Sequence, residues 1–375
     1  MLVTHKLTLE RKNDLKNRLS GAFYLILLCV AYVICVILCD PRHKIDKDAN
    51  SFDGFAYYIP IWGNLIFAII MIFFKIALVF AICLELDNCF IKSNHNKKII
   101  ATLFLCLLIP ILAADYCIIY YSYFGVKQDY LQITPIIYFC LFFVNFIFII
   151  PICFLSKNSK NFNKFNGICL PTISFILIVA LNAISYLCVI RGIFTLLIIL
   201  LIPVCSDVGG YIFGIFFGQH KLAPKISPKK TWEGFAGSLI FSIIFIVLLI
   251  FLYGYGSHYQ MQGNLFGNQW DQNATKNSMI NPNKLLWWII IVIMILALTV
   301  TSIVSDLLFS VFKRKNGIKD YSNIIKGHGG VLDRIDSWVL PLCLFFIIVL
   351  SISGSSTIIS GWKDHNRIFN IFYEG

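Results

Sequence analysis

Asp333 and Asp336 stand three residues apart in the run His328–Gly329–Gly330–Val331–Leu332–Asp333–Arg334–Ile335–Asp336. On a helix that spacing places both carboxylates on one face. Carboxylates that close repel unless a proton or a cation lies between them. Lys313, Arg314, Lys319, Asp320 and Arg334 crowd the same segment, and Gly327, Gly329 and Gly330 permit a tight turn that brings backbone close to a ligand. Oxygen-rich ligation beside phosphate-seeking cations points to Mg²⁺. Solvated helix ends are the plainer alternative.

A second stretch, residues 218–234, mixes Lys221, Lys225, Lys229 and Lys230 with the hydroxyls of Ser227 and Thr231. Ammonium groups supply charge, while hydroxyls and backbone N–H groups supply directed donors, a mixture suited to phosphate. The alternative is a membrane-proximal basic loop drawn to anionic lipid. Asp207 and Asp306 precede these two basic stretches, and both lie in apolar runs. An acid there costs about 2.5–3.5 kcal/mol on insertion scales. Two such acids, each aimed at a basic loop, read as one site.

The elements that carry these residues must cross a bilayer. The chain has 375 residues, of which 58% are hydrophobic and 13% charged. Soluble domains carry about 25% charged residues. Apolar runs at 21–39, 61–84, 99–122, 132–155, 169–190, 193–217, 235–254, 286–312 and 338–355 each approach the roughly 20 residues that a membrane helix needs. The expected fold is therefore all-α, a polytopic integral membrane protein of about nine transmembrane helices. Residues 1–200 read as a lipid-facing scaffold and 201–375 as the catalytic region. With the N-terminus in the cytoplasm, 21 of the 31 Lys and Arg fall in cytoplasmic segments and 9 outside. The net charge of +12 is spread over short loops, so topology accounts for it and no nucleic acid is expected. No CxxC pair occurs among the 13 cysteines, which excludes a common zinc pattern. Gly210, Gly214 and Gly218 recur every four residues, spacing that lets membrane helices approach closely. Packing within the chain is the first reading, and a homodimer is compatible with it.

Residues 310–336 resemble the phosphatidate cytidylyltransferase (CDP-diacylglycerol synthase) family. Ser310, Lys313, Arg314, Lys319, Asp320, Ser322, His328, Gly329, Gly330, Val331, Asp333, Arg334, Ile335 and Asp336 fall on its signature without a gap. Lys326 departs from it, where the family has Pro or a small residue. The likeness extends upstream to Asp207–Tyr211, Phe217–Gly218, Ser227–Gly234 and Asp306, covering roughly residues 200–340. Farther upstream only hydropathy and the acid Glu85 are similar.

The resemblance implies that CTP and phosphatidate give CDP-diacylglycerol and pyrophosphate, with Mg²⁺, in one or two ions, at the cytoplasmic face of the membrane. It motivates Asp306, Asp333 and Asp336 as metal ligands. Lys313, Arg314, Lys319 and Arg334 become phosphate grips; among the catalytic acids, Asp320 would support the metal ligands or contact the nucleotide, and Asp207 would hold metal or pair with a buried base. Ser227, Lys229, Lys230, Thr231, Ser310, His328, Gly329 and Gly330 are expected around the substrates, His328 chiefly by shaping its turn. The expected location is a bacterial inner membrane, with membrane lipid as partner. The rivals are a CTP-dependent polyprenol- or dolichol-type lipid kinase and an ion-coupled transporter.

Overall fold

The computed structural model describes residues 61–91, 97–124, 147, 164–191, 193–256, 282–322 and 329–371. Their architecture is a helical bundle. Helices α1 (Ile61–Leu86), α2 (Lys97–Phe124), α3 (Lys164–Arg191), α4 (Ile193–Phe217), α5 (Trp232–Gly256), α6 (Pro282–Lys315) and α7 (Leu332–Ile371) follow in order. A π-turn, Asp87–Ile91, extends α1. Five helices are long and apolar enough to cross a membrane, within Phe165–Leu187, Thr195–Phe217, Trp232–Ile250, Trp288–Lys315 and Leu332–Ser351. The protein is accordingly an integral membrane protein. The expected spans 21–39 and 132–155 and the N-terminal segment lie outside the described residues.

The seven helices coincide with seven of the expected spans because apolar content dictates them: lipid offers no partner for backbone polar groups, so each run satisfies its own. One element departs from the all-α expectation. Residues 218–234 form a hairpin of β1 (Lys221–Ala223) and β2 (Ser227–Thr231), antiparallel, with Lys221 opposite Thr231 and Ala223 opposite Ser227. Lys and Pro are poor strand formers, which hides the hairpin from sequence. A turn reverses the chain at Pro224, closed by Ile226 N–H to the Ala223 carbonyl at 3.1 Å. Trp232 N–H donates to the His220 carbonyl at 3.0 Å and shuts the base. Thr231 then starts α5, its Oγ1 accepting from Gly234 N–H at 3.1 Å, a helix N-cap.

The glycine ladder faces α5. A Cβ on Gly209 would lie 2.6 Å from Phe241 Cβ, and one on Gly210 2.6 Å from Ser238 Oγ. On the opposing helix, a Cβ on Gly237 would lie 2.3 Å from Phe213 Cβ. The close approach is reinforced by Ser238 Oγ donating to the Ser206 carbonyl at 2.7 Å. The ladder is thus consumed inside the chain, and it gives no support to a homodimer.

Gly209→Val is expected to destabilise the bundle by about 1–3 kcal/mol through overpacking. Gly214→Ala, whose Cβ would meet only Thr231 Oγ1 at 3.4 Å, is expected to cost much less. Thermal unfolding of the detergent-purified variants checks the difference.

Candidate active site

The C-terminal ends of α4 and α6, the hairpin and the N-terminal end of α7 meet at one end of the bundle. Asp306 lies nine residues before the end of α6, so at 1.5 Å per residue its carboxylate is recessed by about 13 Å. Lys230 reaches it from β2, with Nζ 2.5 Å from Oδ2. Neighbouring strand residues point to opposite faces, and Lys229 accordingly remains exposed. One helical turn beyond Asp306, half-buried Ser310 shares its face of α6. Lys313 follows at the end of that helix. Its Nζ is 2.8 Å from Asp333 Oδ1 and 3.5 Å from Asp336 Oδ2 on α7, and all three side chains are nearly buried. Asp207 on α4 flanks the group: it is exposed on its helix, within electrostatic reach of Lys230 and Asp306.

Local chemistry fixes this register. Pro341 has no N–H to return to the Ser337 carbonyl, so α7 loosens there. Ser305 of α6 inserts at the same place: its Oγ donates to the Asp336 carbonyl and accepts from Leu340 N–H at 3.4 Å. Asp333 is committed on both oxygens. Oδ1 takes Lys313, while Oδ2 accepts Tyr321 N–H and Gly330 N–H, each at 2.9 Å. Gly329 has φ +82°, and a Cβ there would sit 3.0 Å from Asp333 Oδ2. Glycine at that position therefore serves both the turn and the carboxylate. Tyr321 lies under Lys313, whose Nζ is 5.3 Å from the ring centroid. Burial pushes the Tyr321 phenol well above its ordinary range, so it stays neutral as its hydroxyl donates to the Phe309 carbonyl at 3.3 Å.

A second tie comes from α3. Buried Asn166 donates through Nδ2 to the Phe90 carbonyl at 3.0 Å and to Asn316 Oδ1 at 2.8 Å. Asn316 in turn donates to the Phe312 carbonyl at 3.1 Å and to Cys89 Sγ at 3.6 Å. Burial raises the Cys89 thiol to about 12, so it remains protonated beside the site. Nothing in sequence marked Asn166, Asn316 or Ser305, because an isolated polar residue on an apolar helix does not reveal its partner.

Other expected residues stand apart from this cluster. Arg314 points to the hairpin, with only long contacts of 3.5 Å to the Ile226 and Ile318 carbonyls. Lys319, Asp320 and Arg334 are exposed at the rim. Ser227 is half-buried in β2, and the Thr231 hydroxyl is occupied in capping α5. Gly330 is buried against Glu85, a residue outside the expected site. His328 lies outside the described residues.

Four acids (Asp207, Asp306, Asp333 and Asp336) thus lie near two lysines (Lys230 and Lys313), so acids outnumber bases in the cluster by two. Among the described residues, no three His, Cys, Asp or Glu side chains are already gathered as a metal would require. The donors nevertheless fit a hard divalent cation in kind and in charge: all are oxygens, and the surplus is two.

The fold defines a polytopic membrane protein with a cluster of acids and lysines at its helix ends. The pattern of the Cytidylyltransferase family matches residues 54–352, and the chain belongs to that family. The match reaches far upstream of the stretch that resembles the family by eye, taking in Glu85 and Asn166. Among similar proteins, the phosphatidate cytidylyltransferase of Haemophilus influenzae is 36% identical over 155 residues, 41% of this chain and 45% of that protein. That of Staphylococcus saprophyticus is 35% identical over 201 residues, 53% of this chain and 64% of the relative. That of Mycobacterium leprae is 39% identical over 139 residues, 37% and 34% of the two chains. The chain spans about half the length of the first two relatives.

Removing one partner of a buried ion pair leaves the other unpaired, at a cost of about 3–5 kcal/mol. Lys313→Met is expected to destabilise the protein by that order, and adding Asp333→Asn is expected to recover part of the loss. A double-mutant cycle on denaturation midpoints reads the coupling.

Proposed function

We propose that this chain transfers the cytidylyl group of CTP to phosphatidate, giving CDP-diacylglycerol and pyrophosphate. The observation that carries this reading is the cluster of four carboxylates and two lysines, within a chain of the Cytidylyltransferase family. A phosphatidate oxygen bonds to the α-phosphorus of CTP. The bond from that phosphorus to the bridging oxygen breaks, and the electron pair leaves with pyrophosphate. The nucleophile is already anionic, so no general base is needed and no serine–histidine pair is required. The obstacle is repulsion between polyanions, which positioned charge relieves.

Lys230 and Lys313 are recessed, and each can exchange its aspartate for a phosphate oxygen as substrate enters. Arg314, Lys319, Lys229 and Arg334, at the rim, attract and orient the triphosphate, with Arg suited to bidentate contact. Asp306, Asp336 and Asp207 would hold Mg²⁺, one ion or two, which would offset phosphate charge and polarise the phosphoryl oxygens. Asp333, whose oxygens already hold Lys313 and two backbone N–H groups, keeps Lys313 in place. The same reading has nine spans with the N-terminus in the cytoplasm. It sets the site at the cytoplasmic face of a bacterial inner membrane, the side richest in Lys and Arg.

Purified protein given CTP labelled in the cytidine, phosphatidate and Mg²⁺ is expected to place the label on lipid and to stop when chelator is added. Lipid left unlabelled by cytidine-labelled CTP but labelled by CTP carrying its label in the γ-phosphate would make it a kinase instead. Asp306→Asn is expected to lower turnover by on the order of 100-fold while the protein remains in the membrane. Undiminished turnover in that variant would reject the assignment.

A further inference from the structure

Helices α5 and α7 begin at the same end of the bundle but solve the same problem differently. The first N–H groups of any helix have no intrahelical partner. At α5 the residue in the cap position is Thr231, and its own hydroxyl takes one of them. At α7 the cap position falls on Val331, whose carbonyl accepts from Arg334 N–H and Ile335 N–H. Valine has no side-chain acceptor and ranks among the poorest N-caps.

The missing acceptor arrives from α1, 246 residues away in sequence. Glu85 is fully buried, and both of its oxygens are used. Oε1 accepts Val331 N–H at 2.7 Å, and Oε2 accepts Leu332 N–H at 2.7 Å. Ser322 Oγ also donates to Oε1 at 2.6 Å. A Cβ on Gly330 would sit 2.6 Å from Oε1, so only glycine lets the carboxylate approach the backbone this closely. A carboxylate at a helix N-terminus is favoured by the helix dipole as well as by its hydrogen bonds. The first turn of α7 carries Asp333, and the next carries Asp336, both in contact with the reactive cluster.

We infer that Glu85 is a positioning residue of the site: its carboxylate is the N-cap of α7, supplied in trans from α1, and it fixes where Asp333 and Asp336 meet Lys313. The role rests on the functional reading above only for its effect on turnover. The cap itself is a structural claim and is tested separately.

The test uses the full-length chain in detergent or vesicles. It compares Glu85→Ala, Glu85→Gln and the double variant Glu85→Ala/Val331→Ser, in which a local hydroxyl caps the same helix end through the N–H of Asp333 or Arg334. Amide hydrogen exchange over residues 329–336 is expected to quicken about ten-fold in both single variants, the size of a lost cap, while α4 and α5 keep their protection. The double variant is expected to regain most of that protection. Turnover with CTP and phosphatidate is expected to follow the same order, falling chiefly in kcat and recovering in the double variant. If Glu85→Ala does not fold, Glu85→Gln decides, since it keeps the shape but turns an amide N–H₂ toward a backbone donor. Unchanged exchange over 329–336, or a rise spread evenly over the bundle that Val331→Ser does not reverse, would overturn the inference. Wild-type protein that makes no cytidylated lipid would overturn the functional reading instead, and the exchange arm would still decide the cap.

Discussion

An ionised side chain drawn toward the interior of a membrane protein must find its counter-charge there, because desolvation costs several kcal/mol per ion. Asp306 and Asp336 lie within the spanning segments Trp288–Lys315 and Leu332–Ser351, and neither can be buried singly. Their answer is mutual: Lys230 is swung in on the hairpin to Asp306, and Lys313 is set between Asp333 and Asp336. The need to balance these charges dictates which helix ends meet. It also leaves acids outnumbering bases in the cluster by two.

The rest of the bundle keeps those ends in register. Ser305 ties α6 to α7 at the opening left by Pro341, and Asn166 ties α3 to the turn after α6 through Asn316. Glu85 ties α1 to the start of α7. Helices from the first half of the chain therefore reach the site directly and do more than face lipid. The close glycine seam between α4 and α5 has a related consequence. It brings the base of the hairpin against α4, with Thr231 packed near Gly214 and Gly218, and so sets Lys230 opposite Asp306.

Much of this was legible in the sequence. Apolar runs named the helices, since lipid leaves the backbone little choice. Asp207 and Asp306 stood out because acids are rare in such runs, and the Asp333–Asp336 spacing placed two more on one face. What sequence could not show was pairing. Lys313, expected as one of several phosphate grips, lies between the two acids on α7. The oxygens of Asp333, expected as a metal ligand, meet Lys313 and donors that only the folded loop brings near. The hydroxyl of Thr231, expected near substrate, caps a helix. The glycine ladder could not name its partner, because one helix alone does not reveal the face opposite. Glu85 stood out as an acid upstream, but its partner was hidden for the same reason, the clue being an absence: Val331 stands where a capping side chain belongs.

The most direct test of the acid surplus is Mn²⁺ binding to the purified protein, followed by electron paramagnetic resonance without nucleotide or lipid. Slowly tumbling Mn²⁺, displaced by Mg²⁺ and weakened separately by Asp207→Asn, Asp306→Asn and Asp336→Asn, is the predicted result. Binding that none of these three substitutions alters, or no binding at all, would contradict the account.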